Sequence, residues 1–528
     1  MLLLALDSHL TFFQDTWEFL INRRSFSVDS LLKPHNEHIV LIPVLIQQLL
    51  LVLFGMTSAA PEYVLMTLAL VATSVLLFVY ARRRVGPWAA LIPAALLIFA
   101  GPAWQDLLWP FEIGFVGSVL FGIAMLLALE REDERGDVWA CVFLAIAIGF
   151  NSLGIAFAVA AGVEFLQQRR RRGLGRAYVF LIPVLLYAAW YLGWGHDAES
   201  HLTLRNVLLA PRFVFESLGA SLEALLGLST APIEGIGSPE WGRPLALAAI
   251  ALVAFGQWRR PGFHARLWPA LAAAVAYWAL TAFNYIPGRE PTTSRYLYAS
   301  VALVLLVAVN LLKDVRIGRR SLLAAAAVAA CAIAANLVVL KDGADWFENQ
   351  AVLTKADLGA LEIARPTIEP SFRLGPEFAG TGALIDVEAG KYFEAVDEYG
   401  SPAYTPAELA TAPAPGPHQA DVILANALPI ALETQLGEYA SGPGAGCATV
   451  APGGPEVALA PGSTRIEVAP GPQADFALRR FASGEYPVET AGAPGESTTT
   501  LTIPRDRASL PWQLRVEAQQ PVRVCPQG

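Results

Sequence analysis

The sequence predicts a polytopic α-helical membrane protein with about ten spanning helices, an interfacial helix near its N-terminus and a C-terminal β-sandwich-like domain outside the cytoplasm. Three observations carry this. Across 528 residues, 55% hydrophobic content and a mean hydropathy of +0.46 exceed what a soluble domain carries. Apolar runs of spanning length alternate with short loops, and every second loop is rich in arginine. Beyond Lys341 the runs give way to short alternating segments punctuated by Pro-Gly and Gly-Pro. The net charge of −9 is segregated, with arginine in the loops of the first two thirds and acids in the last third. That distribution excludes the basic folded face of a nucleic-acid binder.

Residues 1–6 read as the last turn of a first spanning helix whose beginning lies upstream, as from a start site assigned too far downstream. The stretch 39–54 is apolar; it either spans or lies in the outer interface as a helix or re-entrant turn, and Glu37, His38 and Pro43 favour the interface. Spanning segments are expected over 62–81, 87–103, 111–129, 138–150, 152–167, 177–194, 243–258, 266–284, 294–312 and 319–340. The pair 138–150 and 152–167 is short, with Asn151 and Ser152 at its turn. Loops at 82–84, 131–135, 169–176, 259–266 and 313–320 are basic or charged, whereas those at 103–110, 150–152 and 285–293 carry Arg289 as their only basic residue. The basic set is therefore cytoplasmic, and the 195–242 loop and everything past 341 lie outside; residues 7–38 are outside too with 39–54 in the interface, and would be cytoplasmic if it spanned. The Arg169–Arg172 run is a topology determinant.

The expected division is a membrane region over 1–341 with 7–61 as its first outer loop, a helical and irregular linker over 342–420, and a β-rich domain over 421–528. Residues 344–366 read as an amphipathic helix, and 367–420 as an irregular wrap. Cys141 and Cys331 sit in apolar runs, where a thiol behaves as a small hydrophobe. Cys447 and Cys525 bracket the last polar segment; they form either a disulfide, if that segment is outside, or two buried thiols.

Polar residues at the outer face are the informative ones, because interfacial charge is costly. Four clusters qualify: Asp7, Asp15, Trp17 and Glu18; Pro34-His35-Asn36-Glu37-His38; Trp104, Asp106, Trp109 and Glu112; and Arg289, Ser294, Arg295, Tyr296 and Tyr298. Each has a plainer reading. Asp15 fits a helix-start acid, Asp7 a helix-boundary marker, and Arg295 a snorkelling arginine. His35 and His38 suit substrate binding, structural hydrogen bonding or a divalent metal such as Mg, which the sequence does not require. Asp106 and Glu112 either line a cavity or pair with nearby arginine. Trp104, Trp109, Tyr296 and Tyr298 belong either to an aromatic belt or to sugar-stacking platforms.

The order of these elements resembles the GT-C fold membrane glycosyltransferases that use polyprenyl-phosphate sugars, of the actinobacterial type. The resemblance rests on Gln14-Asp15-Thr16-Trp17, on residues 34–38, on Leu53-Phe54-Gly55, on Arg-Arg-Arg-Val-Gly at 82–86 and on residues 101–111, and covers most of 7–340. It implies a sugar transferase of the cell membrane with a polyprenyl-phosphate-sugar donor and a glycan, lipid or protein acceptor, acting with inversion, and no nucleic-acid partner. It also implies that an outer-loop aspartate acts as general base. Thr16 stands where the family has a second acid, so the role falls to Asp15, with Asp7 as the alternative. Arg289 and Arg295 are placed to hold the leaving phosphate, and His35, Asn36, Glu37, His38, Trp104, Asp106, Trp109, Glu112 and Tyr296 to bind substrate. The β-rich domain is expected to cover or extend the site and to touch a glycan. Two other classes compete: a transporter or flippase of a lipid-linked saccharide, which the absence of a convincing internal repeat disfavours, and a non-catalytic scaffold, which leaves the outer-face acids without a role.

Overall fold

The computed structural model describes residues 2–527 apart from 230–232, 234–236, 260–264, 314, 376–383, 385–386 and 438–445. The chain divides into two compact units: residues 1–8, 23–50 and 60–346 form the first, and 9–22, 51–59 and 347–528 the second.

The first unit is helical. Its helices include Ala60–Val85, Pro87–Ile98, Ile113–Leu129, Glu134–Phe150, Gly154–Arg172, Tyr178–Gly193, Leu204–Leu226, Gly242–Arg259, Leu267–Phe283 and Ser294–Leu311. Every apolar run expected to span is helical over most of its length, the 87–103 run being broken at 99–100. By length and composition, five helices among the described residues can cross a bilayer, or six if Pro87–Ile98 and Gly101–Leu108, bent by 41°, count as one. The chain is a helical membrane protein. Burial separates its centre from its rim. The most apolar stretch of Ser294–Leu311 is 78% buried and that of Pro110–Leu129 67%, whereas those of Leu174–Gly193 and Arg319–Ala364 are only 22% and 17% buried. The first two are the core, and the last two turn apolar side chains outward, where lipid replaces protein as the partner.

Three expectations change here. The 195–242 stretch is not simply a loop, because Leu204–Leu226 forms a 23-residue helix capped by the Thr203 hydroxyl on the Asn206 amide. Its arginines and glutamates depress the mean hydropathy below a spanning threshold, and the helix stays amphipathic. The last span and the amphipathic helix after it are one continuous helix, Arg319–Ala364. The region after it is not irregular throughout: among the described residues it holds helices Ala389–Tyr399, Pro406–Leu409 and Gly416–Ala427 and a short antiparallel pair, β1 (Arg373–Leu374) and β2 (Val387–Glu388). The Leu41–Phe54 helix has 14 residues, about 21 Å at 1.5 Å per residue, short of a hydrocarbon core of about 30 Å.

In the second unit, strands β3 (Ala431–Leu436), β4 (Ala448–Val450), β5 (Val457–Leu459), β6 (Gly462–Val468), β7 (Ala474–Arg479), β8 (Val488–Ala493), β9 (Ser497–Ile503), β10 (Trp512–Glu517) and β11 (Val522–Gln527) build two antiparallel sheets. Their orders are β3-β9-β6-β11-β4 and β5-β10-β7-β8. Alternation sets the faces: Phe476, Leu478, Trp512, Leu514 and Val516 are buried, and the residues between them are not. Cys447 and Cys525 are joined by a disulfide. The Asp421 carboxylate accepts from the amides of Arg480, Phe481 and Ala482 at 2.7–3.0 Å, tying the Gly416–Ala427 helix to this sandwich. Trp17 lies in this unit too, edge-on to Phe12 and Tyr392.

Candidate functional site

At one end of the helical unit, four segments distant in sequence converge. Pro34 to His38 forms a tight reversal. The His35 and His38 backbones exchange hydrogen bonds of 3.0 and 2.9 Å, and Asn36 sits at φ 50°, a left-handed conformation that asparagine tolerates. The Arg23 guanidinium fastens the reversal from behind by donating to the carbonyls of Lys33 and Pro34. The Ile39 amide donates to Ser152 Oγ at 3.4 Å, joining it to the turn between Glu134–Phe150 and Gly154–Arg172.

The second anchor is a clasp on the Ser294–Leu311 helix. The Gln105 amide donates to Ser294 Oγ at 3.0 Å, and Gln105 Oε1 accepts from the Arg295 amide at 3.2 Å. This holds the 101–112 segment against the first turn of the helix that carries Arg295 and Tyr296. Gly101 permits the approach: a Cβ there would stand 1.7 Å from the Asn336 carbonyl oxygen. The Asp106 carboxyl is fully buried, and both its oxygens lack a hydrogen bond of ordinary geometry. Glu112, Arg295 and the Tyr298 backbone are the polar groups acting on it.

A cavity of about 110 Å³ is lined by Glu37, His38 and Arg289 together with Asn151, Tyr187, Tyr277, Asn284 and Tyr296. By the rule of about 10–15 Å³ per water, it has room for several waters or one small polar group. Arg289 forms an ion pair with Glu37 Oε1 and also donates to the Asn284 carbonyl at 3.4 Å. Glu37 Oε2 and His38 Nδ1 are buried with no hydrogen-bond partner. Burial works against charge on Glu37, but His38 and Arg289 overcome it and hold the carboxyl below its ordinary range. Burial, helped by Arg289, His35 and Arg295, pushes the His38 imidazole down to about 4 despite the Glu37 carboxylate, so it is neutral at pH 7. A neutral imidazole offers one donor and one acceptor to a ligand.

The sequence-predicted residues separate into groups. Glu37, His38, Arg289 and Tyr296 line the cavity. His35 packs edge-on to Phe111 behind it, and Asn36 is exposed on the reversal, its carbonyl accepting from the Glu199 amide. Buried Asp106 and Glu112 and half-buried Arg295 form a group beside it. Trp104 and Trp109 are neither belt residues nor open platforms. They are 4% and 1% exposed, Trp104 against Trp346 and Trp109 stacked on Phe111, because the 101–112 segment folds inward and takes both indoles into the packing. Asp7 belongs to the helical unit, and the Leu2–Leu6 helix before it packs on Trp104–Leu108. Its carboxyl is buried, Oδ1 has no partner, and burial raises its pKa to about 8. Asp15 and Glu18 belong to the other unit. Among the described residues no three metal-type side chains come together.

Sequence reading missed Tyr187, Tyr277 and Asn284. They lie within or at the end of apolar runs, where a polar side chain facing a cavity and one facing a neighbouring helix look alike. The Asn151-Ser152 break was the one visible signal.

No family model matches the chain, and no curated protein matches it. Two solved structures are similar to it. One is the crystal structure of ArnT from Cupriavidus metallidurans bound to undecaprenyl phosphate, at 13% identity and TM-score 0.45, over 76% of this chain and 87% of that one. The other is the same protein in the apo state, at 13% identity and TM-score 0.44, over 78% and 89%.

Proposed function

We propose that this chain transfers a sugar from a polyprenyl-phosphate carrier to an acceptor hydroxyl on a glycan, lipid or protein outside the cytoplasm. The observation that carries the reading is the convergence of Glu37, His38, Arg289 and Tyr296 on one cavity, with Asp106, Glu112 and Arg295 beside it, at the end of the unit formed by the arginine-poor loops. Sugar transfer needs a base for the acceptor hydroxyl, cations for the phosphate as it leaves, and neutral hydrogen-bonding groups for the sugar.

We assign Asp7 as the base. It shares the unit of the cavity, and a carboxyl with its pKa near 8 is matched to accepting a proton near neutral pH. Asp7 takes the acceptor's proton, the oxygen attacks the anomeric carbon, and the carbon–oxygen bond to the phosphate breaks. Arg295 takes up the charge on the leaving phosphate. Arg289 joins it by exchanging its Glu37 partner for a phosphate oxygen, for which a guanidinium fork is suited. His38, neutral, and the tyrosines hold sugar hydroxyls.

The test is transfer from a labelled polyprenyl-phosphate sugar by membranes carrying wild type, Asp7→Asn or Asp15→Asn. Asp7→Asn is expected to lower turnover about 10²–10⁴-fold, and wild-type turnover to rise as pH passes through 8. Loss with Asp15→Asn alone moves the base to Asp15. Turnover untouched by either change overturns the mechanism.

A further inference from the structure

A second cavity, of about 510 Å³, lies on the helical unit between the Leu204–Leu226 helix, the first turn of Gly242–Arg259 and the 285–291 loop. Three arginines line it, Arg205, Arg212 and Arg243, against two acids, Glu216 and Glu290. The pairing is incomplete. Glu216 Oε1 alone accepts from both Arg212 Nε at 3.1 Å and Arg243 Nη2 at 2.9 Å. Glu290 is occupied by the Tyr285 hydroxyl at 3.4 Å and the Gly288 amide at 3.1 Å. Arg205 makes no ion pair among the described residues. Each guanidinium has five N–H donors, most of which find no acceptor among the described residues, and the three arginines against two acids give the lining a net positive charge.

A compact anion with several acceptor oxygens satisfies such a set, and phosphate is the biological group that does so best. The surroundings specify what carries it. Leu204 and Leu208, one turn apart, are 75% and 72% exposed, and Leu208 is itself part of the cavity wall. In a membrane protein an exposed leucine ridge faces acyl chains, so the arginines open beside a path for a lipid tail. We infer that this cavity holds the phosphate head group of a membrane lipid, whose chain lies along the Leu204–Leu208 ridge. The 284–291 loop forms a wall of both cavities, with Asn284 and Arg289 facing the first and Tyr285 and Glu290 the second. The inference does not rest on the sugar-transfer reading.

The experiment is native mass spectrometry of the full chain in detergent, titrated separately with farnesyl phosphate, farnesol and inorganic phosphate. Arg205→Gln combined with Arg243→Gln is expected to weaken farnesyl phosphate binding at one site about tenfold or more. Glu216→Gln, which frees two guanidiniums, is expected to tighten it. Arg295→Gln, acting at the first cavity, leaves this site intact, so failure here and failure of the transferase reading are separable. Farnesol binding as tightly as farnesyl phosphate, or equal binding by wild type and the double variant, overturns the proposal. Inorganic phosphate binding as well as the lipid keeps the phosphate site but overturns its lipid occupant.

Discussion

The two ends of the helical unit hold the same kinds of side chain arranged in opposite ways. At the end formed by the arginine-rich loops, carboxylates are matched to guanidiniums. Asp137 receives Arg176 through two bonds of 2.8 Å and Arg172 through one of 3.0 Å, and Glu164 takes the same Arg176 at 3.3 Å. Glu130 bridges Arg83 and Arg84, and Arg266 reaches Glu132 across the end. Arg84 is further fixed by Asn310 and stacks on the Tyr80 ring at 3.4 Å. At the other end, Glu37 is half used, His38 Nδ1 has no partner, and neither Asp106 oxygen has a hydrogen bond of ordinary geometry. Buried polar groups are costly unless satisfied. The paired end satisfies its carboxylates internally, with Arg172 Nη1 and Arg176 Nη1 left over, and holds helices together. The open end leaves capacity for a ligand.

This contrast is sharpest in Arg176→Ala. It strands Glu164 and leaves Asp137 with Arg172 alone, both acids being buried, and should cost about 3–5 kcal/mol, read as a large fall in the thermal midpoint of the purified protein. Arg289→Ala should cost less, about 1–3 kcal/mol, because Glu37 keeps access to the cavity. Its effect on transfer should nevertheless exceed that of Arg176→Lys, which keeps the paired end charged. The reverse ranking would break the comparison.

Titration gives a third test. His38 falls from 6.5 to about 4 on folding and Glu37 is also held below its ordinary value, so between these limits the native state binds fewer protons than the unfolded chain. Their stabilisation is present at neutral pH; that of His38 is lost as pH falls from 6.5 toward 4, and that of Glu37 only as pH falls below 4.5. Asp7 works oppositely: raised from 3.8 to about 8, it favours the native state in acid, and that contribution is lost as pH rises toward 8. His38→Asn should flatten the acid limb of midpoint against pH, and Asp7→Asn the alkaline limb. Unchanged limbs would show that neither group is buried as described. The smallest effect belongs to Arg131→Gln. Arg131 pairs with Asp133 at 3.1 Å with both side chains about half exposed, so the midpoint should not move. A clear shift would show that even the rim of the paired end carries structural weight.

The sequence by itself determined that the chain is a helical membrane protein, where its most apolar helices run, which loops share an end and that a β-rich region follows. These follow from local quantities: hydropathy over a bilayer's thickness, arginine in alternate loops and period-two alternation. It also marked Glu37, His38, Arg289 and Tyr296, because polar groups at the end of an apolar run stand out. Only the tertiary structure decided which of those groups share a cavity and which are packed away. Trp104 and Trp109 look like interface aromatics until the 101–112 segment turns inward. Tyr187 and Tyr277 look like core until two helices face the same void, and Leu204–Leu226 hides as a loop because its apolar side is one stripe among charges. Asp7 and Asp15 are eight residues apart in the chain yet belong to different compact units. Such assignments depend on contacts made across the chain, and hydropathy averaged over neighbouring residues carries no record of them.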